Sequence, residues 1–390
     1  LEGLPWEYGD AAEMQRLSAK YAGADQGKVT RVFGANFIGR MSGKVVEAFV
    51  AKADLLAASP AYSDQSGVDW KTAAASAAKV LNHIGGVDGM DPTGWTWYCN
   101  VDDIEKLSPT ESPAEILWRG ERAKSLSLEE DNFPPTLYGN GRINPTQNLV
   151  DAFPMLNGYP VSHLSGEYDE NLPYANRDPR LEAYILYNGC KAGNTNKEIF
   201  TAADGTTNDA LNKVVGRSTR TGYYLRKLLR QDISLDPNAK ADQYHYTPRI
   251  RYTEIFLAYA EAANQAYGPQ DKGGNGYSAY DVVKKLRHRA GIGRDNGDAY
   301  LESIKNDQAK MAELIRNERR IELCFEGFRF WDLRRWKSNL TETAKGMNIS
   351  GTRYTPMEVD KRSFSEYMYY GPIPYSEVLK YDELKQNQGW

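Results

Sequence analysis

Between residues 35 and 59 the apolar side chains Phe37, Met41, Val45, Ala48, Phe49, Leu55 and Leu56 recur every three or four positions. That is the spacing of one buried helix face. The run stops at Ser59-Pro60, because the residue before a proline resists helical backbone angles. A second helix, dense in alanine (Ala73, Ala74, Ala75, Ala77, Ala78), is predicted from about Trp70 to Ile84 and ends at Gly85-Gly86. The arrangement returns from Tyr252. One helix runs through Ile255, Ala258, Tyr259, Ala262 and Ala266 to Gly268-Pro269, and another from Ser278 to about Ala290.

Overlaid without gaps, the two blocks pair Glu47 with Glu254, Phe49 with Phe256, Ala51 with Ala258, Ala53 with Ala260 and Trp70 with Tyr277. Two helices joined by a turn, with small residues where they cross, are similar to a tetratricopeptide-like hairpin. From about 88 to 250 the pattern breaks into short polar and aromatic pieces interrupted by Gly and Pro, and only 181–187 reads as a strand. The fold class expected is mostly α. Helical hairpins at about 35–86 and 252–291 form an α-solenoid scaffold, with a loop-rich, largely irregular middle and little β.

Composition narrows the function classes. Lys plus Arg number 48 against 52 for Asp plus Glu, and this balance gives no electrostatic reason to expect nucleic acid as a partner. No apolar run reaches the ~20 residues that span a bilayer as a helix. Cys99, Cys190 and Cys324 form neither a disulfide framework nor a C-x-x-C metal pair, and the four histidines are scattered. Cys324, between Leu323 and Phe325, reads as a small apolar side chain. Gly23 to Lys28 falls one residue short of a phosphate loop. Gly274 to Ala279 follows a helix where a dinucleotide fingerprint needs a strand. Asp295-Asn296-Asp298 lacks the full ligand spacing of a calcium loop, so no cofactor or metal is assigned. The surplus is aromatic: 26 Tyr, 11 Phe and 8 Trp, many of them in the irregular middle.

From Met311 the chain reads Ala-Glu-Leu-Ile-Arg-Asn-Glu-Arg-Arg-Ile-Glu-Leu-Cys-Phe-Glu-Gly-Phe-Arg-Phe-Trp-Asp-Leu-Arg-Arg-Trp-Lys. Met311, Leu314, Ile315, Ile321, Phe325 and Phe328 supply an apolar stripe, and a dense mix of Arg and Glu surrounds it. Such a helix is suited to tie several elements together through forked guanidinium contacts. The stretch closely resembles the SusD/RagB family. Further matches follow in order: Val29-Thr30-Arg31, Leu-Leu-Ala-Ala-Ser-Pro at 55–60, Ile143-Asn144-Pro145-Thr146-Gln147-Asn148, Arg177-Asp178-Pro179-Arg180-Leu181, Arg251-Tyr252-Thr253-Glu254-Ile255 and Gly371-Pro372-Ile373-Pro374. The resemblance covers about 28–390 and implies one SusD-like domain over 1–390, with the signature helix and C-terminal segment at about 309–390. The family's lipidation cysteine and N-terminal helical region are absent from the residues given, so the chain is expected to lack the N-terminal part.

What the resemblance implies is a non-catalytic glycan-binding protein on the extracellular face of the outer membrane. It would be held there by a lipid anchor outside this chain, and would deliver oligosaccharide to a SusC-like TonB-dependent transporter. Sugar recognition needs flat aromatic faces and planar polar side chains on loops held by a rigid scaffold. Trp95, Trp97, Tyr98, Asn100 and Asp102 fit best. Tyr138, Tyr168 and Tyr174 sit in comparable Gly-, Pro- and Asn-rich settings. Trp70, Trp331 and Trp336 are expected in the scaffold, and Trp118 in the core. Two other classes stay open: a helical scaffold for protein–protein interaction, and a glycoside hydrolase, for which Asp102-Asp103 and Glu129-Glu130-Asp131 are the sequence candidates.

Overall fold

The hairpin helices form where sequence periodicity and capping residues agree, in a computed structural model that describes residues 4–390. The first is shorter than its pattern. A single 3-10 turn covers Ala35–Phe37, the backbone turns at Gly39 (φ 89°), and the helix proper is Gly43–Ala58. Asp69 then opens Trp70–Asn82, its carboxylate accepting from the Thr72 amide at 2.8 Å. In the second block Tyr252–Tyr267 is followed by Ala279–Arg289, which Ser278 and Asp281 close with a reciprocal capping box.

Trp70–Asn82 packs against both Gly43–Ala58 and Tyr252–Tyr267. Ala73, Ala74, Ala77 and Ala78 are buried along it, and their small side chains let the helix axes approach. The repeat is imperfect. Phe256 is fully buried, whereas its counterpart Phe49 is 42% exposed and meets Trp118 edge-on at 5.7 Å.

The signature stretch is two helices, Gln308–Glu322 and Phe328–Arg335, split by a turn in which Phe325 (φ 64°) and Gly327 (φ 85°) take left-handed backbone angles. Its acidic groups tie the molecule together. Glu318 pairs with Arg180 and Arg287, each at 2.8 Å, and Glu322 pairs with Arg180 at 3.0 Å and Arg289 at 3.3 Å. Beyond it, Arg335 and the Trp336 indole both bond Glu261 at 2.6 Å. Trp336 is scaffold, and Trp70 packs partly buried against the same core as the hairpins. Trp331 departs from expectation: it is 62% exposed on the far side of its short helix. Cys324 is buried, and burial pushes its thiol up to about 11.

Two features of the middle differ from the sequence reading. The expected strand at 181–187 is a helix, Pro179–Tyr184, with Asp178 as its cap and proline in the first turn. Only Ile185–Leu186 continues as strand, pairing with Tyr224–Leu225. In addition, a two-stranded antiparallel ribbon joins Ile116–Ser125 to Gln243–Arg251, running from Ile116 opposite Arg251 to Ser125 opposite Gln243. Its register shifts on either side of Arg119, which lies opposite Pro248. A bulged position tolerates the missing amide of a proline. The ribbon's Arg251 end is buried, with its guanidinium bonded to Glu115 and Glu326, each at 2.7 Å.

Candidate functional site

The Gly94–Tyr98 loop is clamped from below. Tyr184 Oη donates to the Trp95 carbonyl at 2.8 Å and Tyr98 Oη donates to the Ala183 carbonyl at 3.1 Å, so the loop is fastened to the end of the Pro179–Tyr184 helix. Gly94 sits against the buried Glu115–Arg289 pair. A methyl group there would stand 2.3 Å from Glu115 Oε2 and 2.7 Å from Arg289 Nη1. Gly94→Ala is therefore expected to cost about 1–3 kcal/mol, the usual range for overpacking, measured as a lowered urea midpoint with unchanged slope.

The structure separates the residues that the sequence placed together. Trp97 and Tyr98 are buried, at 4% and 5% exposure, within a core cluster that also holds Phe153, Tyr184 and Tyr246. Trp95 is half-buried against that cluster. Asn100 donates to the Asp103 carboxylate, and Asp102 points to solvent. Tyr174 stacks on Tyr187 at 4.3 Å and shares a hydrogen bond with Tyr223 at 3.2 Å; burial raises its phenol. Tyr168 lies under the Arg177 guanidinium at 5.6 Å, and Tyr138 is 54% exposed.

Trp97 and Tyr98 nonetheless form part of the wall of a cavity of about 620 Å³ beneath the ribbon. The ribbon supplies Glu121, His245, Tyr246 and Arg249, and the signature turn supplies Glu326 and Phe328. The other candidates, Trp95, Asn100, Asp102, Tyr138, Tyr168 and Tyr174, line neither this cavity nor the smaller one of about 230 Å³ around Asn157, Glu167 and Asp295. Sequence reasoning missed the ribbon side chains. The signal that could have found them is Tyr244-His245-Tyr246, an aromatic run of strand character, although a proline such as Pro248 is unusual inside a strand.

Three wall atoms are uncommitted. The Trp97 indole N–H, the Tyr246 hydroxyl and Glu254 Oε2 are buried and have no hydrogen-bond partner among the described residues. Buried polar atoms are nearly always paired, so an orphaned one at a cavity wall marks a place where something else can bond. His245 is held on both sides, with Nε2 3.0 Å from Glu129 and Nδ1 3.1 Å from the Gln243 carbonyl. Burial alone would raise Glu326, but Arg251 and Lys227 hold it below the ordinary carboxylate range. Glu254 is pushed up by burial, against the pull of Lys52.

Within the Asp295-Asn296-Asp298 cluster, Asn296 and Asp298 are spent on internal bonds. Asp298 caps the Ala299–Ile304 helix and grips Arg287 at 2.6 Å, and Asn296 donates to the Asn157 carbonyl at 2.8 Å. Among the described residues no group of three His, Cys, Asp or Glu is placed to hold a metal ion, and no helix is long and apolar enough to cross a membrane. Trp118, expected in the core, is half-buried at the ribbon's edge, its indole donating to the Gly39 carbonyl at 2.7 Å.

Comparison with known proteins gives a consistent picture. The model of the SusD family matches residues 118–390. Two SusD-like proteins of Formosa agariphila, P38 and P2, are 33% identical over 85 residues and 32% identical over 152 residues; these cover 22% and 38% of this chain. The matched segments span only 16% and 26% of those relatives. Among solved structures, a SusD-like protein from Bacteroides fragilis superimposes with a TM-score of 0.66 at 25% identity, covering 94% of this chain and 69% of its own. A SusD-like carbohydrate-binding protein from the same species gives 0.65 at 22% identity, covering 95% and 70%; at that identity the likeness speaks to the fold alone.

Proposed function

We propose that this chain, which belongs to the SusD family, is a non-catalytic glycan-binding protein of the bacterial cell surface. It captures oligosaccharide, passes it to a TonB-dependent outer-membrane transporter and is held at the surface by a lipid anchor. The observation that carries the binding reading is the cavity under the ribbon. Aromatic walls from Trp97, Tyr98 and Tyr246 face planar polar groups from Glu121, Arg249 and Asp131, and two buried donors lack a partner among the described residues. Such a mix of apolar faces and a few directed polar groups suits a ring that is apolar on its C–H face and hydroxylated at its edge. Membership of the SusD family supports the same reading.

The test is affinity electrophoresis of the purified chain in gels cast with host and plant polysaccharides, with reducing ends assayed in parallel. Retardation by at least one polysaccharide without release of reducing ends is the expected result. Release of reducing ends would replace the reading by a hydrolytic one. No retardation by any polysaccharide would move weight to a protein-binding scaffold. For that, Phe330 and Trp331, at 52% and 62% exposure, are the side chains to examine.

A further inference from the structure

The charges around the cavity are unevenly paired. Glu254 faces Lys52 at 2.7 Å, Asp131 faces Arg142 at 3.1 Å, and Glu326 faces Lys227 at 2.6 Å as well as Arg251. Of the lining carboxylates only Glu121 has no cation within 4.0 Å among the described residues. Against it stand three guanidiniums of the ribbon, Arg119, Arg122 and Arg249, none within 4.0 Å of a described carboxylate.

Arg249 lines the cavity, lies across Gly120 and sits 5.1 Å from the Trp118 ring. Arg122 lies over the Tyr244 ring at 3.7 Å and is 5.7 Å from Tyr246, and Arg119 is 5.5 Å from Tyr246. Arg119 spends its N–H groups on the Ser112 hydroxyl and on the carbonyls of Gly120, Pro109 and Glu111. These neutral acceptors leave its charge uncancelled. Arg122 Nε is buried with no acceptor among the described residues. The cavity-lining Tyr246 ring, its hydroxyl unpartnered among the described residues, therefore has two unbalanced cations at 5.5 and 5.7 Å.

We propose that the cavity takes acidic oligosaccharides, in which uronate carboxylates or sulfate esters meet Arg249. Arg119 and Arg122 supply a positive field near Tyr246, and the Trp97 N–H and Tyr246 hydroxyl bond the ligand's oxygens. This rests on the glycan-binding reading above and narrows it to one charge class. A planar fork matches a carboxylate or sulfate with two parallel hydrogen bonds, which a neutral hydroxyl cannot offer. The opposing groups are Glu121 and the free oxygen of Glu254, whose partner oxygen faces Lys52. They limit how many anionic groups the cavity can hold, and favour one per bound segment.

The experiment is isothermal titration calorimetry of the full chain with two matched pairs: oligogalacturonate against its carboxyl-reduced neutral form, and sulfated against unsulfated dextran oligosaccharide. The expected result is that an acidic member binds about tenfold or more tightly than its neutral partner. Arg249→Glu should remove that advantage, and Arg122→Gln should reduce it. Raising the ionic strength from about 0.1 M to about 1 M, which shortens the Debye length from about 10 Å to about 3 Å, should shrink the advantage too. Preference for the uronate or for the sulfate pair identifies the source of the anion. Equal binding of acidic and neutral partners, or an acidic preference untouched by both arginine variants, overturns the inference but leaves glycan binding standing. Binding of no saccharide, neutral or acidic, overturns the glycan-binding reading and this inference together.

Discussion

Glu322→Ala is expected to cost about 3–5 kcal/mol or to prevent folding altogether, the range for removing one partner from a buried charge network. Glu322 is fully buried; Arg180 and Arg289 bond its carboxylate and Arg251 stands 3.9 Å away. Deleting it leaves those guanidiniums short of a counter-charge in a place water does not reach. Glu130→Ala, which breaks an exposed pair with Lys240 at 3.1 Å, should stay within about 0.5 kcal/mol. Urea denaturation of both variants separates a network from a surface decoration. A loss below about 1 kcal/mol for Glu322→Ala would mean that the network relaxes around the gap.

The same carboxylate sets a pH window. Burial would raise it, but Arg289, Arg180 and Arg251 together outweigh burial and hold it at about 2, below the 4.5 of a free glutamate. A group depressed in the folded state contributes stability that is complete above its unfolded value and is lost as pH falls toward the folded one. The stability gap between the wild type and Glu322→Gln should therefore be widest at neutral pH and shrink from about pH 4.5 down toward pH 2. Asp178 and Glu254, raised by burial, work in the opposite sense. Comparing the two proteins, rather than following the wild type alone, cancels their contribution.

Much of the scaffold was legible because its signals are local. Helix spacing, the stops at Pro60 and Gly85-Gly86, and the caps at Asp69 and Ser278 all act within a turn or two of chain. The charged signature stretch likewise announced a tying role, and Glu318, Glu322 and Arg335 perform it. What escaped was set by distant partners. Ile116 meets Arg251 across a long intervening segment, and no local pattern fixes that register. Asp178-Pro179 carried a helix-start signal that the apolar run after it obscured. The split at Phe325 depends on a non-glycine residue accepting a left-handed angle, which composition does not reveal.

The candidate site shows the same limit more sharply, and it changes what mutation of the aromatic loop should do. Sequence spacing treats Trp95 and Trp97 as equivalent rings on a binding loop. The fold buries Trp97 among Tyr98, Tyr246 and their neighbours and leaves Trp95 half-buried. Trp97→Ala should thus cost about 3–5 kcal/mol, as for other large-to-small changes at buried aromatics. Lost glycan binding in that variant would say nothing about contact. Tyr246→Phe isolates the chemistry. It removes a hydroxyl that has no partner among the described residues, so it should leave stability within about 1 kcal/mol or raise it slightly. If the cavity is the site, the same change should weaken polysaccharide retention, and Trp97→Phe should do so at a smaller cost in stability than Trp97→Ala. Tyr246→Phe with unaltered melting and unaltered retention would place the ligand elsewhere. The half-buried Trp95 and the exposed Tyr138 would then be the next rings to test.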